Sequence, residues 1–116
     1  MKENRVKRVA FADKELLASF KKLKLGRFEE KRLASNIERA IYDLKENPFS
    51  GIPIRRNLWP MEYVKKYSID NLRKYDLPDG WRLLYSLQGN EIEIISIILE
   101  WLSHKEYEKK FKYNVT

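Results

Sequence analysis

Between Asn71 and Leu99 the chain runs through three stretches rich in β-branched, aromatic and leucine residues, parted by two turn signals, Pro78-Asp79-Gly80 and Gln88-Gly89-Asn90. Short runs of that composition separated by Gly, Pro and Asn predict a three-stranded antiparallel meander. The last run is apolar from Ile94 to Leu99 except at Ser96, so both its faces are expected to be covered, as for a strand inside a sheet.

A three-residue loop at Pro78, Asp79 and Gly80 sets Leu77 opposite Trp81, Tyr75 opposite Leu83, Lys74 opposite Leu84 and Asp76 opposite Arg82. Side chains alternate along a strand, so Leu77, Tyr75, Trp81, Leu83 and Tyr85 then share an apolar face. Lys74, Asp76, Arg82 and Ser86 share the other, a polar surface in an otherwise hydrophobic sheet. A loop one residue longer puts Arg73 and Tyr75 beside Arg82 instead.

Upstream the period changes. Val6 to Phe11 is a short apolar run suited to an edge strand, and Asp13 is placed to cap a helix whose Leu16, Leu17, Phe20 and Leu23 recur at helical spacing until Gly26. A second helix, from about Phe28 to Glu46, carries Leu33, Ile37, Ala40, Ile41 and Leu44 on one stripe and stops at Asn47-Pro48. Two such helices in tandem form a hairpin able to cover one face of a sheet. Phe49 to Pro60 reads as an irregular connector; Pro60 opens a short helical piece, MEYVKKY, with Lys65 and Lys66 outside. Ser103 with Glu106 is a capping box that starts a last helix at His104. The pattern predicts an α+β domain spanning 1–116: a small antiparallel sheet, made of the N-terminal strand and the meander, packed against a two-helix hairpin, with a C-terminal helix.

Composition narrows the chemistry. The 116 residues include no cysteine and one histidine, which excludes disulfides, thiolate metal sites and a histidine-rich zinc site, so no metal or cofactor is expected. No apolar run approaches the roughly 20 residues of a membrane span and no signal peptide opens the chain, so the expectation is a soluble cytoplasmic domain without a membrane partner. With 24 Lys and Arg against 17 Asp and Glu, the formal charge is +7. That balance suits a nucleic acid or an acidic protein partner, or else a charged surface serving solubility.

The stretch from Asn71 to Tyr85, with its aromatic-Arg-apolar-apolar-Tyr strand WRLLY, resembles the RelE/ParE superfamily of type II toxin-antitoxin toxins. So do the paired helices upstream and the C-terminal segment Ser103-His104-Lys105-Glu106-Tyr107. The resemblance implies a cognate antitoxin held in a hetero-oligomer and, in the RelE-like branch, cleavage of mRNA on the ribosome. It also implies roles. Arg82 matches the strand arginine that contacts phosphate, Tyr107 the C-terminal tyrosine near the reacting nucleotide, and Lys74 or Arg73 an assisting strand cation. The chain departs from the pattern at Glu100-Trp101-Leu102-Ser103, where such nucleases usually carry another basic residue and His104 is the nearest candidate. A ParE-like or non-catalytic member, acting on a protein target such as gyrase or binding only its antitoxin, is the alternative.

Cutting RNA with its own 2'-hydroxyl needs an acceptor for that proton, a donor for the leaving oxygen and positive charge on the phosphorane. Arg82 suits the last task, because guanidinium grips phosphate in a fork and stays charged. The competing reading is a cross-strand pair with Asp76. His104 falls on the first helical turn, where exposed N–H groups disfavour a cation and leave the imidazole ready to accept a proton. Tyr107 is three residues on and can share that helix face. Arg55, Arg56, Lys65, Lys66 and Arg73 read as an electrostatic footprint for RNA, without sequence discrimination. Trp59, Trp81 and Trp101 can stack on bases, although Trp81 belongs to the apolar face.

Overall fold

β1 (Val6–Phe11) ends just before Asp13, whose carboxylate accepts a hydrogen bond from the Leu16 N–H at 2.8 Å and so caps α1 (Lys14–Lys24). After the turn at Gly26, α2 (Phe28–Glu46) starts where the Glu30 carboxylate accepts the Arg27 N–H at 3.0 Å, and it stops at Asn47, before Pro48. The computed structural model, which describes residues 3–112, continues with β2 (Ile52–Pro53), α3 (Met61–Tyr67), β3 (Arg73–Asp76), β4 (Arg82–Gly89), β5 (Glu93–Leu102) and α4 (His104–Lys112). One 3-10 turn joins β2 to α3 at Arg56–Leu58, and another joins β3 to β4 at Pro78–Gly80.

The strands lie in the order β1-β5-β4-β3-β2. The β3–β4 register pairs Lys74 with Leu84, Tyr75 with Leu83 and Asp76 with Arg82, as the three-residue loop requires, and the Leu77 N–H reaches the Trp81 carbonyl at 2.8 Å. The predicted four-stranded antiparallel sheet is corrected twice. β1 runs parallel to β5, Val6 beside Glu93 through Phe11 beside Ile98, so the sheet is mixed. Hairpin turns fix antiparallel directions for β3, β4 and β5, whereas two helices follow β1, and such a crossover allows parallel pairing. The second correction is β2, two residues of the expected connector that pair with Lys74 and Arg73 and add a fifth strand.

Both faces of the sheet are covered. Phe20, Leu33, Ala34, Ile37, Ala40 and Leu44 of α1 and α2 bury Leu77, Leu83, Tyr85 and Ile98, with Tyr75, Trp81 and Trp101 packed at the margin. The opposite face was expected to be polar, yet it holds a second core. Trp59, Tyr63, Ile69, Leu72 and Phe111 close over Leu84, Leu99 and Leu102 there, and Ser86 is buried as well.

A β-bulge explains how the end of β5 serves both layers. Leu84 faces Glu100 while Tyr85 faces Ile98, which leaves Leu99 without an opposite residue. Leu99 and Glu100 therefore both turn to the α3–α4 side, where Leu99 joins the second core and Glu100 accepts a hydrogen bond from the Tyr63 hydroxyl at 2.6 Å. Trp101 crosses to the helical-hairpin side and meets Phe11 edge-on, ring centroids 6.5 Å apart. Leu102, the last residue of the strand, pairs with Arg82, so α4 begins beside that arginine.

Candidate functional site

Arg82 is the first residue of β4, and alternation sends its side chain to the α4 side, between the turn it follows and the strand it pairs with. Its Nη1 donates to the Gly80 carbonyl at 2.6 Å. Gly80 has φ +82° and Asp79 before it φ +64°, and the Asp79 carboxylate is gripped by Arg32 of α2, Nε at 3.1 Å and Nη2 at 3.4 Å. Thus α2 holds the turn, and the turn's carbonyl aims the guanidinium. Arg82 Nε lies 3.1 Å from Asp76 Oδ1, but its N–H has no hydrogen-bond partner among the described residues. The contact is an ion pair of proximity, without a directed bond.

Lys74 comes to the same place. Two residues from Asp76 on β3, it shares that residue's face, and its Nζ donates to the same Oδ1 at 3.2 Å. Above both cations lies the ring of Tyr107, its centroid 5.3 Å from the Arg82 guanidinium carbon and 5.8 Å from Lys74 Nζ. Tyr107 is fixed from behind by stacking on Phe111 at 4.5 Å, and Phe111 in turn meets Tyr63 at 6.4 Å. Burial pushes the Tyr107 phenol up; the Arg82 charge lowers it and the Asp76 charge raises it again. The net shift is upward, so at neutral pH the hydroxyl is protonated and can donate.

His104 opens α4 three residues before Tyr107. Its Nε2 is 3.2 Å from Glu108 Oε1 and its side chain is exposed. It approaches the cluster through Gly80: a Cβ added there would come within 3.2 Å of His104 Cβ. Arg82 and Lys74 converge on Asp76 beneath the ring of Tyr107, with His104 against the turn that orients Arg82.

The remaining sequence candidates are dispersed. Arg73 points to the other face, where Nη2 donates to the carbonyls of Gly51 at 2.7 Å and Phe49 at 3.2 Å, and Nε lies 3.3 Å from the Tyr85 hydroxyl. Its cation ties the connector to the sheet. Arg55 is exposed beside the 3-10 turn, and Arg56 lies over the Trp59 ring at 4.6 Å. Lys65 is exposed on α3, while Lys66 stands 3.7 Å from Asp13 Oδ2 and over Tyr67 at 5.2 Å. The tryptophans pack. Trp59 is buried with its Nε1 donating to the Ile54 carbonyl at 2.8 Å, and Trp81 and Trp101 border the first core.

Two features escaped the sequence reading. Asp76 was placed on the face of Lys74 and Arg82 but given no part in the site; the signal was Lys-x-Asp on one strand, which sets acid and base side by side. The other is Lys110, one turn past Tyr107, which bonds Glu100 at 2.7 Å and Glu62 at 2.9 Å over the buried Tyr63 hydroxyl. Burial opposes that ammonium, but the two carboxylates outweigh it and raise it; burial with the Glu100 carboxylate pushes the Tyr63 phenol far up. Glu62, Glu100 and Lys110 of this network, with Pro60, Met61, Leu102, Glu106 and Lys109, line a groove of about 570 Å³ between α3 and α4.

Among the described residues no helix is long and apolar enough to cross a membrane, and no group of three or more His, Cys, Asp or Glu is placed to hold a metal. No family model matches the chain, and no curated protein and no solved structure is significantly similar to it.

Proposed function

We propose that the chain is a RelE-like toxin of a type II toxin-antitoxin system, a cytoplasmic endoribonuclease that cuts mRNA on the ribosome and is held by a cognate antitoxin. The observation that carries this reading is the convergence of Arg82 and Lys74 beneath the ring of Tyr107, on the sheet face away from the helical hairpin.

In the proposed reaction the 2'-oxygen attacks the adjacent phosphorus and the bond to the 5'-oxygen breaks. Arg82 and Lys74 neutralise the phosphorane, as fixed cations in a partly desolvated site do best. The protonated Tyr107 hydroxyl donates toward the phosphate or the departing 5'-oxygen, and His104, exposed beside the turn, takes the 2'-proton. Arg55, Arg56 and Lys65 add positive charge that draws in a polyanion. A ParE-like or non-catalytic member is the second reading, favoured by one observation: Arg82 already faces Asp76 and His104 already faces Glu108.

Expression of the protein is expected to halt growth and to truncate transcripts within coding regions only while they are translated. Arg82→Ala is expected to abolish both while remaining folded. Intact transcripts in arrested cells, or an Arg82→Ala protein as toxic as the parent, would favour the second reading.

A further inference from the structure

In the Arg82 cluster the cations are the sheltered members and the anion is the exposed one: the side chains of Arg82 and Lys74 are 19% and 21% exposed, that of Asp76 53%. Both cations address a single oxygen, Oδ1, from 3.1 and 3.2 Å, and the Arg82 Nε–H in that contact lacks a directed bond. Two convergent cations roofed by an aromatic ring form an anion site, and a carboxylate from the strand that carries Lys74 stands in it.

We propose that Asp76 is a resident anion occupying the position of a substrate phosphate, and that RNA binds by displacing it. The inference rests on the reading above that this surface meets an RNA backbone, and it adds what sets the affinity. Asp76 is the last residue of β3, ahead of Leu77 and Pro78, so rotation about its own side-chain bonds carries the carboxylate to solvent while the paired backbone stays in place. A phosphate offers two oxygens where Asp76 presents one to the pair, so each cation can have an oxygen of its own. Displacement also offsets part of each phosphate contact, so a single phosphate gains little and a chain held at several cationic points gains enough. The carboxylate thereby selects for polyanions.

The test is binding of a short fluorescein-labelled oligouridylate to the purified protein, followed by anisotropy at about 50 mM and about 200 mM salt. Asp76→Asn is expected to tighten binding about three- to tenfold at the lower salt and less at the higher, the range of one or two partly exposed ion pairs. Glu91→Gln removes the same charge from an exposed turn and is expected to change affinity less than about twofold. In a Lys74→Ala/Arg82→Ala background, Asp76→Asn is expected to do no more than Glu91→Gln. Asp76→Ser is expected to behave as Asp76→Asn and guards against an effect peculiar to the amide. The proposal is overturned if Asp76→Asn matches Glu91→Gln in the parent background, if its gain survives loss of both cations, or if it weakens binding. Arg82→Ala binding RNA as tightly as the parent would instead overturn the reading of the surface itself.

Discussion

Arg73 and Lys74 are neighbours on β3 whose side chains enter opposite faces of the sheet, and the two faces use a cation differently. On the helical-hairpin side Arg73 is spent on backbone: it holds the carbonyls of Phe49 and Gly51 and leans on the Tyr85 hydroxyl. Tyr85, fully buried, donates to the Pro48 carbonyl at 2.7 Å and accepts the Gly51 N–H at 3.0 Å. Among the described residues, no buried side-chain nitrogen or oxygen of that knot lacks a hydrogen-bond partner. On the α4 side Lys74 and Arg82 share one oxygen of an exposed carboxylate, and the Arg82 Nε–H lacks a directed acceptor among the described residues. A satisfied polar network fixes a fold. An under-satisfied one, at an accessible place, is where an incoming ligand has something to gain.

The largest effect that sharpens this contrast is on stability. Tyr85→Phe leaves the Pro48 carbonyl and the Gly51 N–H buried without their partner and is expected to cost about 1–3 kcal/mol in urea unfolding. Loss of much less would mean that the knot is not what closes β2 onto β3. Gly80→Ala comes next. The residue sits at φ +82° and an added Cβ would lie 3.2 Å from His104 Cβ, so a loss of about 1–2 kcal/mol is expected, together with weaker RNA binding because the turn carbonyl that aims Arg82 moves. An unchanged affinity in a measurably destabilised Gly80→Ala protein would separate the turn from the site.

The smallest effect is in pH. The carboxyl of Asp13 is held below the usual aspartate range, first by the Leu16 N–H it caps, then by Lys66, with burial opposing. A depressed carboxyl contributes stability above its unfolded value of about 3.9 and loses it as pH falls through the lower folded value. The parent is therefore expected to lose stability below about pH 4 more steeply than Asp13→Asn, measured by thermal unfolding at a series of pH values. Equal slopes would remove the cap as a source of acid sensitivity.

What the sequence disclosed follows what is local. The hairpin register was legible because turn chemistry and alternation constrain it jointly, and the capping box at Ser103 and Glu106 is present, with the Ser103 N–H 2.8 Å from Glu106 Oε1. Helix limits at Gly26, Asn47 and Pro60 were legible for the same reason. The parallel direction of β1 was not, since its partner is remote and no turn dictates it. Nor was β2, too short to carry any period, or the bulge at Leu99, which shifts alternation midway along an apolar run that looks uniform. The polar face was half read. Lys74, Asp76 and Arg82 are there, but Leu84 among them seeds a second core under α3 and α4. In the candidate site, Arg82 and Lys74 share a face as alternation suggested and Tyr107 lies over them where the resemblance implied, while Arg73 is one residue out of phase and faces the other side.

The two faces are tested most directly by carrying purified Arg82→Ala and Tyr85→Phe through the same pair of measurements, thermal unfolding and cleavage of an mRNA in a translating extract. Arg82→Ala is expected to unfold within a few degrees of the parent and to leave the message intact, whereas Tyr85→Phe is expected to unfold earlier and still to cut at temperatures where it is folded. An Arg82→Ala protein that cuts normally, or a folded Tyr85→Phe protein that does not cut, would contradict that expectation.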